Sequence, residues 1–164
     1  MKRVVIVRHA KSVPYGYDDD FNRDLSSRGK SDAAIIGKEL KKSNIKPDIM
    51  ISSPAKRAIK TARIFADELE FERNTIIENQ DIYDGQTTSE FMEMIQEQTD
   101  SASTIFIFGH NPGFYYFVSN LLTSFHDDMP TCSTVGIDFD VNSWKEIEAS
   151  TGRLAFHLIP RMFK

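Results

Sequence analysis

The chain has 164 residues, 40% hydrophobic and 27% charged, which suits a single globular domain over residues 1–164 and argues against disorder or repeats. A formal net charge of −4 argues against general affinity for nucleic acid or an acidic membrane, so anion recognition would have to come from a local cluster. One cysteine, Cys132, excludes an intramolecular disulfide and suits a reducing, cytoplasmic setting. Lys2-Arg3 resembles the start of a signal peptide, but only four apolar residues follow before Arg8, too few for a secretory core or a membrane span.

In chain order, Val4-Val5-Ile6-Val7 predicts a buried first strand over residues 3–7, which delivers Arg8-His9-Ala10 at its end. A polar loop follows with Asp18-Asp19-Asp20 beside Tyr15, Gly16 and Tyr17, a charge run that reads as solvated and lacks partners at metal-ligand spacing. Ser26 or Ser27 caps a helix with Ala33, Ile36, Gly37 and Leu40 on its apolar face, and Pro47 marks the exit. Ile49-Met50-Ile51 predicts a second strand running into Ser52-Ser53-Pro54-Ala55-Lys56-Arg57. The next helix carries Ala58, Ile59, Ala62, Phe65, Ala66 and Leu69 at three- and four-residue spacings, with Pro54 suited to its first position after Ser53. Thr88 or Ser89 caps a third helix with Phe91, Met94, Ile95 and Gln98. Ile105-Phe106-Ile107-Phe108 predicts a strand that delivers Gly109-His110-Asn111-Pro112-Gly113, and Asn111 and Pro112 open a helix with Phe114, Phe117, Val118, Leu121 and Leu122. Two alternating segments, 133–141 and 154–159, are expected to pair at one side of the sheet. The alternation of strands and helices predicts an α/β fold with a mainly parallel sheet.

Three strand ends thus each deliver a histidine or an arginine. Ligands of open α/β sheets bind outside the carboxyl ends of the strands, so Arg8, His9, Arg57 and His110 are expected to share one crevice suited to an anion. Arg57 falls in the first turn of a helix, where the dipole disfavours a cation by a few tenths to about 1 kcal/mol. A phosphate at the same helix start would compensate, held by free N–H groups and a bidentate guanidinium. Gly109 and Gly113 are expected to let backbone approach the ligand closely. Two arginines and two histidines supply positive charge for phosphoryl oxygens, and a histidine is a competent nucleophile. His126 and His157 have no such context and read as incidental.

These residues resemble the histidine phosphatase superfamily, with its phosphoglycerate-mutase-like fold, and within it the small SixA-type phosphohistidine phosphatases. The resemblance is carried by Val7-Arg8-His9-Ala10-Lys11-Ser12, Arg23-Asp24-Leu25-Ser26 with Gly29, Pro47-Asp48, Ser53-Pro54-Ala55-Lys56-Arg57-Ala58 with Thr61-Ala62, Tyr83, Gly109-His110-Asn111-Pro112-Gly113, Pro130-Thr131 and Trp144. It implies a three-layer α/β/α fold with a mostly parallel central sheet of about six strands. It also implies that His9 becomes phosphorylated, that Arg8, Arg57 and Arg23 contact the phosphoryl oxygens, and that His110 helps stabilise the transition state. No cofactor and no metal are implied, and the partner is a phosphate-bearing substrate, a phosphohistidine protein being the expected one. Ala10 stands where the broader superfamily usually has glycine. No convincing match exists for the carboxylic acid that ester-cleaving members place after the third strand; Asp84 is the candidate general acid, with Glu78 nearby. An imidazole leaves a phosphoramidate more readily than an alkoxide leaves an ester, so a missing acid favours phosphohistidine.

Rival chemistries find less support. Cys132 lacks the following arginine of a cysteine-phosphatase loop, and Asp138-Phe139-Asp140 has too little chain after it for an aspartate-nucleophile phosphatase. A phosphatase for small phosphate esters and a non-catalytic phosphoprotein-binding module remain as alternatives, the second weakened by an intact His9.

Overall fold

The computed structural model describes residues 1–14 and 19–164; Tyr15, Gly16, Tyr17 and Asp18 of the acidic loop lie outside the described residues. Strand β1 (Lys2–Arg8) is the chain's first element. Val4 and Ile6 join one hydrophobic cluster and Val5 and Val7 another, so the strand is buried on both faces, as its unbroken apolar run requires. It begins one residue before the predicted start because Lys2 is itself buried and donates to the carbonyls of Asp100 and Ala102 at 2.6 and 2.7 Å.

The other strands and α-helices are α1 (Ser27–Lys42), β2 (Ile49–Ser52), α2 (Lys56–Glu68), β3 (Ile77–Glu78), α3 (Gln80–Asp84), α4 (Thr88–Gln96), β4 (Thr104–Gly109), α5 (Gly113–Leu121), β5 (Thr134–Phe139) and β6 (Arg153–Leu158). The sheet order is β3-β2-β4-β1-β5-β6. Its β3-β2, β2-β4 and β4-β1 pairs are parallel, and β1-β5 and β5-β6 are antiparallel. The sheet is therefore mixed, and its two tail strands pair at one side as the alternating pattern predicts. Helices α1 and α2 pack with Val5, Val7, Phe106 and Phe108 on one face, while α4 and α5 pack with Val4, Ile6, Ile105 and Ile107 on the other. Among the described residues no helix is long and apolar enough to cross a membrane.

Three helix starts refine the sequence reading. Ser26 caps α1, its Oγ accepting from Gly29 N at 3.1 Å. Helix α4 is capped by Thr87, not by Thr88 or Ser89, because only Thr87 has a glutamate three residues on: Thr87 Oγ1 accepts from Glu90 N, and Glu90 Oε1 accepts from Thr87 N. Helix α2 starts at Lys56, leaving Pro54 before it; Ser53 Oγ accepts from Ala55 N in the preceding turn, and no side chain caps the helix. Strand β3 and helix α3 escape the sequence reading because β3 has two residues, both exposed, and α3 has five. Neither is long enough to establish a hydrophobic period.

Because β1, β2 and β4 run parallel, their carboxyl ends emerge at one edge. The register pairs Arg8 with Gly109 and Ser52 with Phe108, so the next residues, His9, Ser53 and His110, leave the sheet side by side.

Candidate active site

His9 is pinned as it leaves β1: its backbone N donates to Gly109 O at 2.9 Å. The following residue, Ala10, is fully buried, and its N donates to Thr61 Oγ1 at 3.0 Å, while Thr61 Oγ1 donates to Arg57 O at 2.7 Å. That chain of bonds ties the end of β1 to the first turns of α2. The His9 ring is 7% exposed and its Nδ1 lies 2.7 Å from Ala10 O. A carbonyl only accepts, so Nδ1 carries the hydrogen and the lone pair of the neutral ring is on Nε2. Burial is the main cause that pushes His9 down to a pKa of about 4; the Ala10 bond opposes it, and the charges of Arg57, Arg8 and Arg23 add to it. At neutral pH His9 is therefore an uncharged imidazole with a fixed tautomer, the form in which nitrogen acts as a nucleophile.

His110 lies against it, with ring centroids 5.3 Å apart. His110 Nε2 and Ser53 Oγ share a hydrogen bond of 2.8 Å, and Tyr83 of α3 packs edge-on to the His110 ring at 5.6 Å. Burial first, and then the positive charge that His9 and Arg57 place nearby, push His110 down to about 3. The two rings are thus neutral neighbours, and a charge that develops on either is felt by the other.

The cations surround this pair. Arg8 Nη1 donates to Met129 O at 2.9 Å, and desolvation lowers the Arg8 pKa. Arg57, 5% exposed, donates from Nη1 to Asp20 O at 2.7 Å and from Nη2 to Asp20 Oδ2 at 3.1 Å. Arg23 reaches Asp20 Oδ1 through Nε and Nη2 at 3.1 and 2.9 Å, and its Nη1 donates to Ser12 Oγ and Val13 O. Tyr83 Oη donates to Asp20 Oδ2 at 2.8 Å. Desolvation alone would raise the Asp20 carboxyl, but hydrogen bonds from Tyr83, Arg23 and Arg57 outweigh it and hold that carboxyl well below the usual carboxylate range.

The predicted crevice thus contains Arg8, His9, Arg57 and His110, with Arg23 beside it. Asp84 has a different setting: it is exposed at the end of α3, where Gln80 Nε2 donates to its Oδ1 at 3.1 Å. Tyr83, one residue earlier, is the member of α3 that meets His110. Asp20 corrects the reading of its charge run as solvated, because two arginines and a phenol converge on it; the i,i+3 spacing of Asp20 and Arg23 was its one local signal. Ser53 acts as a partner of His110 rather than as a helix cap. At Gly109 a Cβ would meet Phe114 Cζ at 2.5 Å and Ile82 Cγ2 at 2.7 Å, so close packing of these side chains also requires the glycine.

A family model described as the histidine phosphatase superfamily (branch 1) matches residues 4–112. An uncharacterized chloroplastic protein of Arabidopsis thaliana is 29% identical over 162 residues, 92% of this chain and 72% of that protein. Phosphoserine phosphatase 1 of Hydrogenobacter thermophilus is 35% identical over 104 residues, 59% of this chain and 48% of that protein, so the chain spans about half of that relative. The protein histidine phosphatase SixA, solved in complex with tungstate, superposes with a TM-score of 0.77 at 18% identity, covering 99% of both chains, which shows a shared fold. Arg8, His9, Arg23, Arg57 and His110 all lie within the residues that the family model spans, and that model covers more than half of the 164 residues: the chain belongs to the histidine phosphatase superfamily.

Proposed function

We propose that the chain is a phosphatase that works through a phosphorylated His9, and that its substrate is a phosphohistidine on a protein. The observation that carries the reading is the neutral His9 ring, Nδ1–H tied to Ala10 O and Nε2 carrying the lone pair, beside Arg8, Arg57 and His110. In the first step Nε2 attacks phosphorus in line as the bond from phosphorus to the leaving imidazole nitrogen breaks, and that nitrogen takes a proton from solvent. In the second, water attacks the same phosphorus, the Nε2–P bond breaks, the water gives up a proton, and inorganic phosphate leaves. Arg8, Arg57 and Arg23 would balance the phosphoryl oxygens in both steps, which is the larger part of catalysis in phosphoryl transfer. With that charge supplied by side chains, turnover is expected to continue in chelator.

Neither acid considered among the described residues, Asp84 or Asp20, is set up as a proton donor, which favours an imidazole leaving group over an alkoxide. Asp84 is exposed and bonded to Gln80, and Asp20 is held ionised by its donors. The similarity to SixA, named as a protein histidine phosphatase and solved with an oxyanion, supports the same reading. The relation to phosphoserine phosphatase 1 favours a second reading, hydrolysis of small phosphate esters.

Phosphate release from a phosphohistidine peptide and from phosphoserine, by wild type and by His9→Ala, separates the two. Release from the peptide that His9→Ala abolishes, with little from phosphoserine, is the expected result. Preference for phosphoserine would install the second reading, and release from neither, with vanadate still bound, would make the chain a binding module.

A further inference from the structure

A cleft of about 1020 Å³ opens beside the histidine pair, and Arg8 forms part of its wall. Its other walls come from Asn111 and the start of α5, from the loop running from His126 to Pro130, and from His157 of β6 with the C-terminal 3-10 turn Pro160–Phe163. The cleft is joined to the phosphoryl site by hydrogen bonds as well as by position. Arg8 Nη1 and Asn111 Nδ2 both donate to Met129 O, at 2.9 and 3.0 Å, so the loop is fixed to the arginine beside His9 and to the residue after His110.

Four features indicate what it holds. Its volume stands at the top of the roughly 300–1,000 Å³ that small-molecule pockets occupy. Its surface combines Tyr115, Tyr116, Met129, Pro130, Ile159 and Met162, with Tyr116 59% and Met162 56% exposed, the aromatic and thioether character of protein-binding surfaces. Arg8 Nε, Asn111 Oδ1 and His157 Nε2 are buried atoms of lining residues with no hydrogen-bond partner among the described residues, one donor and one acceptor at the end nearest the histidines. Beyond Arg8 the charged lining residues are one cation, Arg161, and two anions, Asp127 and Asp128. With Arg8 counted, the two cations and two anions balance, so the cleft has no surplus positive charge to hold a second anionic group and suits a polypeptide of mixed polarity.

We propose that this cleft seats the polypeptide segment flanking the phosphorylated residue, with Tyr116 and Arg161 as contacts to the flanks. The proposal rests on the phosphatase reading above and adds the surface by which a protein substrate is selected. It gives His126 and His157 a place in that surface.

The test compares kcat/KM for a phosphohistidine peptide with kcat/KM for phosphoimidazole, which has the same leaving group and no flanks. Wild type is expected to prefer the peptide, and Tyr116→Ala and Arg161→Ala, both at exposed positions, are expected to lower the peptide-to-phosphoimidazole ratio about five- to tenfold each. A ratio within about twofold of wild type in both variants, or a wild type indifferent to the flanks, would overturn the cleft assignment while leaving the phosphatase reading intact. No His9-dependent release from either compound would overturn that reading, and the cleft assignment with it.

Discussion

A carboxylate that engages two guanidiniums competes with any phosphate those guanidiniums bind. Asp20 is such a carboxylate, joined to Arg23, Arg57 and Tyr83. Its charge opposes an incoming oxyanion, whereas its geometry orients the donors. In Asp20→Asn the amide retains one acceptor and removes the charge, so we expect vanadate to bind about three- to tenfold more tightly, measured by titration calorimetry. Weaker binding would show that holding Arg23 and Arg57 in place matters more than the repulsion. At this scale the sequence revealed His9, His110, Arg8 and Arg57, because each stands within a few residues of an apolar strand or at a helix start. Asp20 stayed hidden because its meaning depends on Tyr83, 63 residues away, and Arg57, 37 residues away.

Helix starts show the same division one level up. Apolar spacing locates α1, α2, α4 and α5 within a few residues, because it records which face is buried. The cap depends on finer chemistry: Thr87 is the residue whose hydroxyl and backbone exchange bonds with Glu90, while Ser89 is exposed inside the first turn. Thr87→Ala is expected to cost about 1 kcal/mol and lower the thermal midpoint by about 2–4 °C, and Ser89→Ala to cost less than about 0.5 kcal/mol. Equal shifts from the two variants, read by circular dichroism, would remove the capping box as the stabilising element. In α2 the N-cap residue is Ala55, which has no polar side chain, so the helix lacks a side-chain cap, while the Ser53 hydroxyl two residues earlier serves both Ala55 N and His110.

For the molecule as a whole, the neutral histidines couple folding to pH. His9 and His110 titrate near 4 and 3 when folded and near 6.5 when unfolded, and burial lowers His157 as well. Below pH 6.5 the unfolded chain therefore binds protons that the folded chain refuses, so the stability is full above that pH and is lost as pH falls toward 4. The slope is at most about 1.4 kcal/mol per pH unit for each such histidine. Thermal midpoints taken from pH 7 to 5 should fall, and should fall less in His9→Ala; a flat profile in wild type would contradict the buried neutral pair. The sequence by itself determined the α/β class, the two-sided burial of β1, the pairing of the tail strands and the four charged or imidazole groups at the strand ends, because hydrophobic period and local motif are encoded in neighbouring residues. Only the tertiary structure decided that Asp20 and Tyr83 join those groups, that Asp84 faces away to Gln80, and that Arg8 continues into a cleft. These depend on strand order and register, which bring Arg8 to Met129 across 121 residues of chain, and no local pattern carries information over that distance.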